Sequence, residues 1–260
     1  MKIAISGKGG VGKSSIAAAL ALLLARNNKK VLALDVDPDA NLANCLGISR
    51  EIQSKIVPIA RHKELVEERT GAKINQYGQL FKLNPEVSDI ADNFAVKHNG
   101  VSLLVTGAVE RGGGGCACPE NVLVRALVTD LVMYKDDVLI MDMEAGIEHL
   151  GRATTRGIDC MIIVVEPGQN SIDCAKRIIK MCGEISLKNI AVVANKITAE
   201  EDEIFIQEAF PESKFLGSIP WSNEIRIADR NEKSVLENLS GEVKEKFEKI
   251  LNSLELKIRN

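Results

Sequence analysis

Short apolar runs recur along the chain, and stretches of helical character separate them. The runs are continuously apolar instead of alternating, which is typical of strands buried on both faces of a parallel sheet. Strands that alternate with helices build α/β folds. The pattern therefore predicts a doubly wound, mostly parallel sheet of about seven or eight strands with helices on both faces. The main predicted strands are Ile3–Ile5, Lys30–Asp35, Val101–Val105, Asp136–Asp142, Met161–Pro167, Ile190–Lys196 and Phe215–Trp221.

A glycine-rich stretch between the first strand and the first helix fits the pattern G-x-x-x-x-G-K-[ST] of a phosphate-binding loop. Its glycines let backbone N–H groups turn toward phosphate oxygens at a helix N-terminus. Lys13 is expected to reach the β- and γ-phosphates, and the Ser14 hydroxyl to bind Mg²⁺. The stretch predicts a P-loop protein that binds ATP or ADP with Mg²⁺. The expected nucleotide-binding residues here are Gly9, Gly10, Val11, Gly12, Lys13, Ser14 and Ser15.

Acidic residues stand at the ends of two predicted strands, at Asp35 and Asp142. Open α/β sheets bind their ligands beyond the carboxyl ends of the strands. Asp142 matches the position of a Walker B acid, which would hold a magnesium-bound water. Gly146 lies in a following segment, 143–150, that we interpret as a switch responding to the γ-phosphate. In that segment Glu148 or His149 could act on a metal or in catalysis, or could simply begin a helix.

Two further strand ends are candidates for contacts with the nucleotide base. Asn195 and Lys196 follow one strand, and an Asn amide can pair with the donors and acceptors of a purine. Pro220 and Trp221 end the last strand and resemble a segment that contacts adenine in related proteins. Trp221 could stack on the base or pack in the core, and the sequence leaves both alternatives open.

A Cys-x-Cys pair follows four consecutive glycines and precedes a helix predicted from Glu120 to Tyr134. Cys116 and Cys118 would then lie at or near a helix N-terminus, where the dipole is expected to lower the thiol pKa and favour metal binding. Two thiolates are half of a tetrahedral site, so a second copy of the loop across a two-fold axis would complete it. Ni²⁺ and Zn²⁺ both suit such ligands. Ordinary loop cysteines and a transient redox pair remain the alternatives.

The region between residues 50 and 100 has the least regular pattern. A charged helix is expected over Leu65–Arg69, a short strand over Gln79–Leu83 and a short helix over Val87–Phe94. We interpret the region as an insertion that covers the nucleotide face or supports a dimer, within a single domain over residues 1–260. A closing helix over Glu242–Leu256 carries an apolar stripe, which would pack on the sheet; membrane targeting by this helix is the alternative.

Composition narrows the possible partners. The chain has 260 residues, a net charge of −3 and 45% hydrophobic residues, which is ordinary for a globular protein. It has no basic block that would favour nucleic acid or a membrane surface. The sequence opens directly into a core strand and shows no signal peptide or long apolar span. We therefore expect a cytoplasmic protein that binds neither nucleic acid nor membranes.

Lys8 gives the loop the form K-G-G-V-G-K-S and makes it resemble the deviant-loop ATPases, which include the nitrogenase iron protein and the septum-site and plasmid-partition ATPases. The resemblance implies that Lys8 crosses a dimer interface to the partner's nucleotide, where a cation offsets transition-state charge. A solvated loop lysine is the alternative. The D-x-D-P pattern resembles the first switch of these families, which implies that Asp37, or less directly Asp39, orients the attacking water. Both acids could also cap the next helix.

The combination of motifs resembles one group within this class, the CooC-type nickel-insertion ATPases that mature carbon monoxide dehydrogenase and its acetyl-CoA synthase relatives. The resemblance implies a homodimer favoured by ATP and metal, which holds Ni²⁺ or Zn²⁺ between two C-x-C loops and releases it to a client nickel enzyme on hydrolysis. The motifs are K-G-G-V-G-K-S at 8–14, D-x-D-P-D at 35–39, C-x-C-P-E-N at 116–121, D-M-x-A-G-I-E-H-L at 142–150 and E-P-x-x-N-S at 166–171.

Two other functions remain possible. An iron–sulfur reductase like the nitrogenase iron protein would also bridge a dimer with two cysteines per subunit, but in that family they are far apart in sequence. A positioning ATPase of the septum-site or partition kind would need no cysteines and would require a membrane or nucleic-acid surface.

Overall fold

The structure is a computed structural model that describes residues 1–37, 40–74, 76, 78–107, 118–134, 137–146, 154–210 and 214–259. Its described strands form one sheet in the order β3-β4-β2-β5-β1-β6-β7-β8. Every neighbouring pair is parallel except β3 with β4. The strands are β1 Lys2–Gly7, β2 Val31–Asp35, β3 Val96–His98, β4 Val101–Val105, β5 Val138–Asp142, β6 Cys160–Val165, β7 Ile190–Ile197 and β8 Lys214–Pro220.

Helices cover both faces of this sheet, which confirms the predicted doubly wound α/β architecture. Two short 3₁₀ turns, Ile59–Arg61 and Thr154–Gly157, accompany them. The helices are α1 Lys13–Arg26, α2 Leu42–Cys45, α3 Arg50–Gln53, α4 Lys63–Thr70, α5 Ile90–Phe94, α6 Pro119–Met133, α7 Gln169–Glu184, α8 Glu200–Ala209, α9 Asn223–Arg230 and α10 Gly241–Arg259.

Two apolar layers hold the helices to the sheet. One layer contains residues of α4 to α8, and the other contains residues of α1, α2 and α10. Helix α1 is apolar on almost all sides, and ten of its residues are buried, as expected for a helix enclosed in a core. The stripe of α10, including Phe247 and Leu254, lies in the same layer. That placement supports packing on the sheet over membrane targeting. Among the helices of the described ranges, none is long and apolar enough to span a bilayer.

The irregular region differs from its prediction in three places. The expected strand over Gln79–Leu83 is wrong: the segment has no strand structure, and Leu80 is 96% exposed and Leu83 is 67% exposed, so two of its apolar side chains remain in solvent. The short strand β3 was not expected, and it turns back into β4 through Asn99-Gly100, both with positive φ. An Asn-Gly pair is a standard hairpin signal, so the hairpin of β3 and β4 could have been predicted from the sequence. The helix expected over Val87–Phe94 begins only at Ile90.

Candidate functional site

The phosphate loop connects the buried strand β1 to helix α1. Gly12 precedes the first helical residue with φ 96°, a left-handed conformation, and its carbonyl accepts the Ile16 N–H at 3.1 Å. A Cβ at Gly12 would collide with the side-chain amide of Asn195. Both the positive φ and the close approach require glycine here. The helix therefore starts directly at Lys13, with its unpaired N–H groups at the loop.

The end of β7 holds this loop from the other side. Asn195 Nδ2 donates to the Val11 carbonyl at 2.7 Å, and Lys196 Nζ donates to the Gly10 carbonyl at 2.6 Å. Lys196 itself has φ 60°. Two of the four residues predicted to contact the base are thus tied to the phosphate loop, although they lie more than 180 positions later in the sequence.

Two carboxyl groups meet at the carboxyl ends of β2 and β5. Asp35 and Asp142 are register partners and are fully buried. Burial, and then the neighbouring Asp142, raise the pKa of Asp35 to about 8, although the N–H groups of Leu42 and Asp37 donate to its oxygens. Burial also raises the pKa of Asp142 to about 6. Asp35 was expected at the ligand-binding edge of the sheet but had no specific predicted role, although it ends a strand just as Asp142 does.

Asp142 lies beside the residues expected to bind magnesium and phosphate. Neither of its oxygens has a well-formed hydrogen bond within the described residues, while the Ser14 hydroxyl and the Lys13 ammonium are near enough to counter the effect of burial on its pKa. Buried, unpartnered carboxylate oxygens beside a hydroxyl fit the oxygen ligands that Mg²⁺ takes, directly or through water. The donor set therefore fits a magnesium ion.

The first switch acid contacts the phosphate-binding lysine. Lys13 Nζ lies 3.6 Å from Asp37 Oδ2, and both side chains are largely buried. The predicted roles of Lys13 and Asp37 thus belong to side chains that already lie together. Asp39, the second candidate, lies outside the described residues, as do Glu148 and His149.

Lys8 is bound by Glu166, an acid that begins the quoted motif at 166–171 but had no predicted role. Its Nζ lies 3.5 Å from Glu166 Oε1, and Lys196 Nζ lies 3.1 Å from Glu166 Oε2. The Glu166 N–H donates to the Ser171 hydroxyl at 3.1 Å. One carboxylate thus joins the distinctive lysine of the loop to the end of β7. The available signal was an acid followed by proline directly after a buried strand.

A buried serine fixes the start of the predicted second switch. The Ser6 hydroxyl lies 2.8 Å from the Glu144 carbonyl and 3.1 Å from the Gly146 carbonyl, and it donates to them. Ser6 is fully buried in β1. The segment after β5 is thereby tied to the strand that precedes the phosphate loop, a link that local sequence does not reveal.

A cavity of about 300 Å³ opens beside the loop and holds the four predicted base contacts. Trp221 is 53% exposed at this cavity, so the alternative that it packs in the core is wrong. Cys45 also reaches the cavity, 3.9 Å from the Ser15 hydroxyl, and burial raises its pKa to about 12; its thiol therefore stays protonated. Lining residues include Gly12, Ser15, Ile16, Cys45, Asn195, Lys196, Pro220, Trp221, Ile225, Arg226 and Asp229.

The thiol segment is described only from Cys118 onward, and Cys116 lies outside the described residues. Cys118 is the N-cap residue of α6 and is partly exposed, as the predicted helix start requires. Its pKa is raised, mainly by burial and further by the Glu120 carboxylate. The prediction that the helix dipole lowers the pKa of the Cys118 thiol is therefore wrong for the metal-free chain. Burial and the Glu120 carboxylate outweigh the hydrogen bond from the Asn121 N–H, which favours the thiolate. Over the described ranges no three His, Cys, Asp or Glu side chains group as metal ligands.

Comparison with known proteins places this geometry in a family. The model of the CobQ/CobB/MinD/ParA nucleotide binding domain matches residues 2–235. The chain is 41% identical to an uncharacterised ATP-binding protein of Methanocaldococcus jannaschii, over 100% of this chain and 99% of that protein. It is 43% identical to the carbon monoxide dehydrogenase accessory protein CooC of Rhodospirillum rubrum, over 88% of this chain and 87% of that protein.

A solved structure supports the fold independently. The MinD cell division protein of Aquifex aeolicus superposes with a TM-score of 0.69 at 21% identity, covering 97% of this chain and 96% of that one. At this identity the likeness concerns the fold alone. With the family match, the phosphate loop and the strand-end acids all in agreement, the chain belongs to the CobQ/CobB/MinD/ParA nucleotide binding domain family and is a P-loop ATPase.

Proposed function

We propose that two copies of this chain, joined on ATP, hold one Ni²⁺ or Zn²⁺ ion between their Cys116–Cys118 loops and release it to a client enzyme on hydrolysis. The client would be carbon monoxide dehydrogenase or acetyl-CoA synthase. The observation that carries the proposal is the position of Cys118, which is the N-cap residue of α6 and has a partly exposed side chain. The 43% identity to a protein named as a carbon monoxide dehydrogenase accessory protein supports the choice of client.

At the nucleotide, Lys13 would exchange its contact with Asp37 for the β- and γ-phosphates, and Ser14 and Asp142 would hold magnesium directly or through water. The bound ion supplies positive charge at the phosphates. Asp37, released from Lys13, is then available to orient the attacking water, with Asp39 as the second candidate. Lys8 would leave Glu166 and reach the nucleotide of the partner subunit, where its charge offsets that of the transition state.

Asn195 is available to contact the base. Its Nδ2 donates one N–H to the Val11 carbonyl at 2.7 Å, which leaves the second N–H and the Oδ1 acceptor of the amide for the base. Oδ1 would accept a hydrogen bond from the 6-amino group of adenine. Trp221 and Pro220 line the same cavity, and the half-exposed indole is available to stack on the base.

A short path connects the nucleotide to the thiol segment. Thr106 is fully buried at the end of β4, and its N–H and hydroxyl both donate to the Asp35 carbonyl, at 2.9 Å and 3.1 Å. The segment that carries Cys116 and Cys118 begins soon after Thr106. Rearrangement of the first switch on loss of the γ-phosphate would therefore move the residues at which the segment with Cys116 and Cys118 begins. Such a link is what release of a metal on hydrolysis requires.

The first measurement is anaerobic metal binding by the whole chain, comparing the wild type with the double variant Cys116→Ala/Cys118→Ala, with and without ATP. We expect about one Ni²⁺ or Zn²⁺ per dimer, lost in the double variant. The matched control is Cys174→Ala, a buried cysteine of α7, which should bind metal like the wild type. Equal binding by the double variant would eliminate the metallochaperone proposal and leave the ATPase.

The same preparation separates the alternatives. Iron–sulfur absorbance that disappears in the double variant would instead support a reductase like the nitrogenase iron protein. ATP-dependent binding to liposomes or DNA would support a positioning ATPase. Sedimentation with ATP, with ADP and without nucleotide tests the expected homodimer.

A further inference from the structure

Glu166 holds two lysines at the phosphate loop with one carboxylate. Its Oε1 lies 3.5 Å from Lys8 Nζ, and its Oε2 lies 3.1 Å from Lys196 Nζ. Its backbone N–H donates at 3.1 Å to the hydroxyl of Ser171, a buried residue of α7, which fixes the backbone that carries the carboxylate. Because the cluster has two positive charges and one negative charge, one lysine can leave while the carboxylate keeps a cationic partner.

The two lysines are held to different degrees. Lys196 Nζ has a second acceptor, the Gly10 carbonyl at 2.6 Å, and its backbone has φ 60°, where the register of β7 with β8 is irregular. Lys8 Nζ has no second partner among the described residues, and its contact with Glu166 is the longer of the two. Ion pairs between partly exposed side chains contribute little to stability. Lys196 is therefore the fixed partner of Glu166, and Lys8 is the exchangeable one.

We propose that Glu166 is a positioning residue of ATP hydrolysis. It holds Lys8 beside the phosphate loop in the resting chain and gives it up to the phosphates of a bound nucleotide, while Lys196 keeps the carboxylate in place. The proposal deepens the function proposed above, because it rests on Lys8 acting at a nucleotide, and it adds the group that competes with the nucleotide for this lysine. Glu166 acts through Lys8 and does not itself meet the reacting atoms.

The direction of the effect follows from the charges. The phosphates of ATP carry more negative charge than one carboxylate, so they attract Lys8 more strongly. The contact with Glu166 stabilises the chain before the exchange, but not the transition state, in which Lys8 is at the phosphates. An interaction that is lost before the transition state reduces kcat/KM. Removing the charge of Glu166 should therefore raise the part of kcat/KM that depends on Lys8.

The test is a double-mutant cycle on the whole chain, with kcat/KM for magnesium-ATP as the readout. Glu166→Gln is introduced into the wild type and into Lys8→Ala. Loss of the contact with Lys196 affects both backgrounds alike, so the ratio of the two effects reports the contact with Lys8. We expect Glu166→Gln to be more favourable in the wild type than in Lys8→Ala, by about two- to fivefold.

Glu184→Gln is the matched control, because Glu184 is an exposed acid at the end of α7, and its effect should be the same in both backgrounds. Thermal melting of each variant shows whether it is folded. If Glu166→Gln does not fold, Glu166→Asp supplies the same cycle, since it withdraws the carboxylate from Lys8 by one methylene, and we expect a smaller coupling of the same sign. A merely structural acid would change kcat/KM by the same factor in both backgrounds, and that result would overturn the proposal.

Failure of this proposal is separable from failure of the proposed function. If Lys8→Ala lowers kcat/KM but the two effects of Glu166→Gln are equal, Lys8 acts at the nucleotide and Glu166 is not its resting partner. If Lys8→Ala hydrolyses ATP as fast as the wild type, Lys8 has no part in hydrolysis, and the Glu166 proposal fails with it. The metallochaperone proposal depends on metal binding by Cys116 and Cys118, which neither result changes.

Discussion

The nucleotide edge of the sheet and the start of α6 differ in how many of their polar groups the described residues connect to one another. At the nucleotide edge, Lys13 faces Asp37 and the end of β7 binds two loop carbonyls, although neither Asp142 oxygen has a well-formed hydrogen bond. At the start of α6, Glu120 keeps an unpartnered oxygen among the described residues, and the Cys118 thiol is partly exposed. Among the described residues, the nucleotide edge has more of its polar side chains held in place before a ligand binds.

This difference indicates which further ligand groups the nucleotide edge and the start of α6 require. Groups that hold one another across the sheet pre-organise a site and reduce the cost of binding. The described part of the α6 start contributes one thiol, that of Cys118, which is incomplete for the tetrahedral metal site proposed above, so other donors are needed. Single substitutions at the nucleotide edge should therefore reduce ATP hydrolysis or the free energy of unfolding. Single substitutions at the start of α6 should reduce metal binding alone.

The largest effect is expected at the centre of the nucleotide edge. Lys13→Ala removes the cation that faces Asp37 and is expected to reach the phosphates, and it should reduce ATP hydrolysis by at least about 100-fold, or roughly 2.7 kcal/mol of activation free energy. Phosphate release measures it. Lys188→Ala, at an exposed position, is the control. Activity within threefold of the wild type would mean that this lysine does not stabilise the transition state.

The next effect tests whether the loop is held by long-range contact. Gly12→Ala places a Cβ in a left-handed conformation and against the Asn195 amide, and it should lower the free energy of unfolding by roughly 1–3 kcal/mol. Gly9→Ala is the matched control, because nothing lies within 4 Å of its Cβ position. Chemical denaturation without nucleotide measures both. Equal stability of the two variants would contradict the proposed importance of the contact between Gly12 and the Asn195 side chain.

The pH dependence of stability tests the buried acid pair. An acid whose pKa rises from 3.8 unfolded to about 8 folded makes the native state bind more protons between those values, so the unfolding free energy should fall as pH rises through that window. Asp35→Asn should flatten this fall in the protein without magnesium or nucleotide. Denaturation at several pH values between about 5 and 9 measures it. An unchanged slope in the variant would assign the effect to other groups.

The smallest effect is expected at the thiol. Cys118→Ala truncates a partly exposed side chain that no helix contact requires, so the unfolding free energy should change by no more than about 0.5 kcal/mol. ATP affinity should also match the wild type, while metal binding is lost. Calorimetric titration with ATP and thermal melting check these outcomes. A clear loss of ATP affinity would show that the two ends are coupled even without metal.

Much of the architecture was determined locally. Short continuous apolar runs that alternate with helical stretches indicate buried strands, a Gly-rich stretch between strand and helix makes a phosphate loop, and a proline after Cys118 starts a helix, so these features follow from neighbouring residues. The Gln79–Leu83 strand was predicted wrongly because no packed surface covers Leu80 or Leu83, which a five-residue pattern does not reveal.

Tertiary structure decided which distant groups meet and what their surroundings do to them. The sheet order brings distant strand ends together. As a result, Asn195 donates to the Val11 carbonyl, and Asp35 lies beside Asp142. Glu166 binds both Lys8 and Lys196. The direction of the Cys118 pKa was predicted wrongly for the same reason. A helix dipole can be read from position in the sequence, but burial and a neighbouring carboxylate depend on the packed structure.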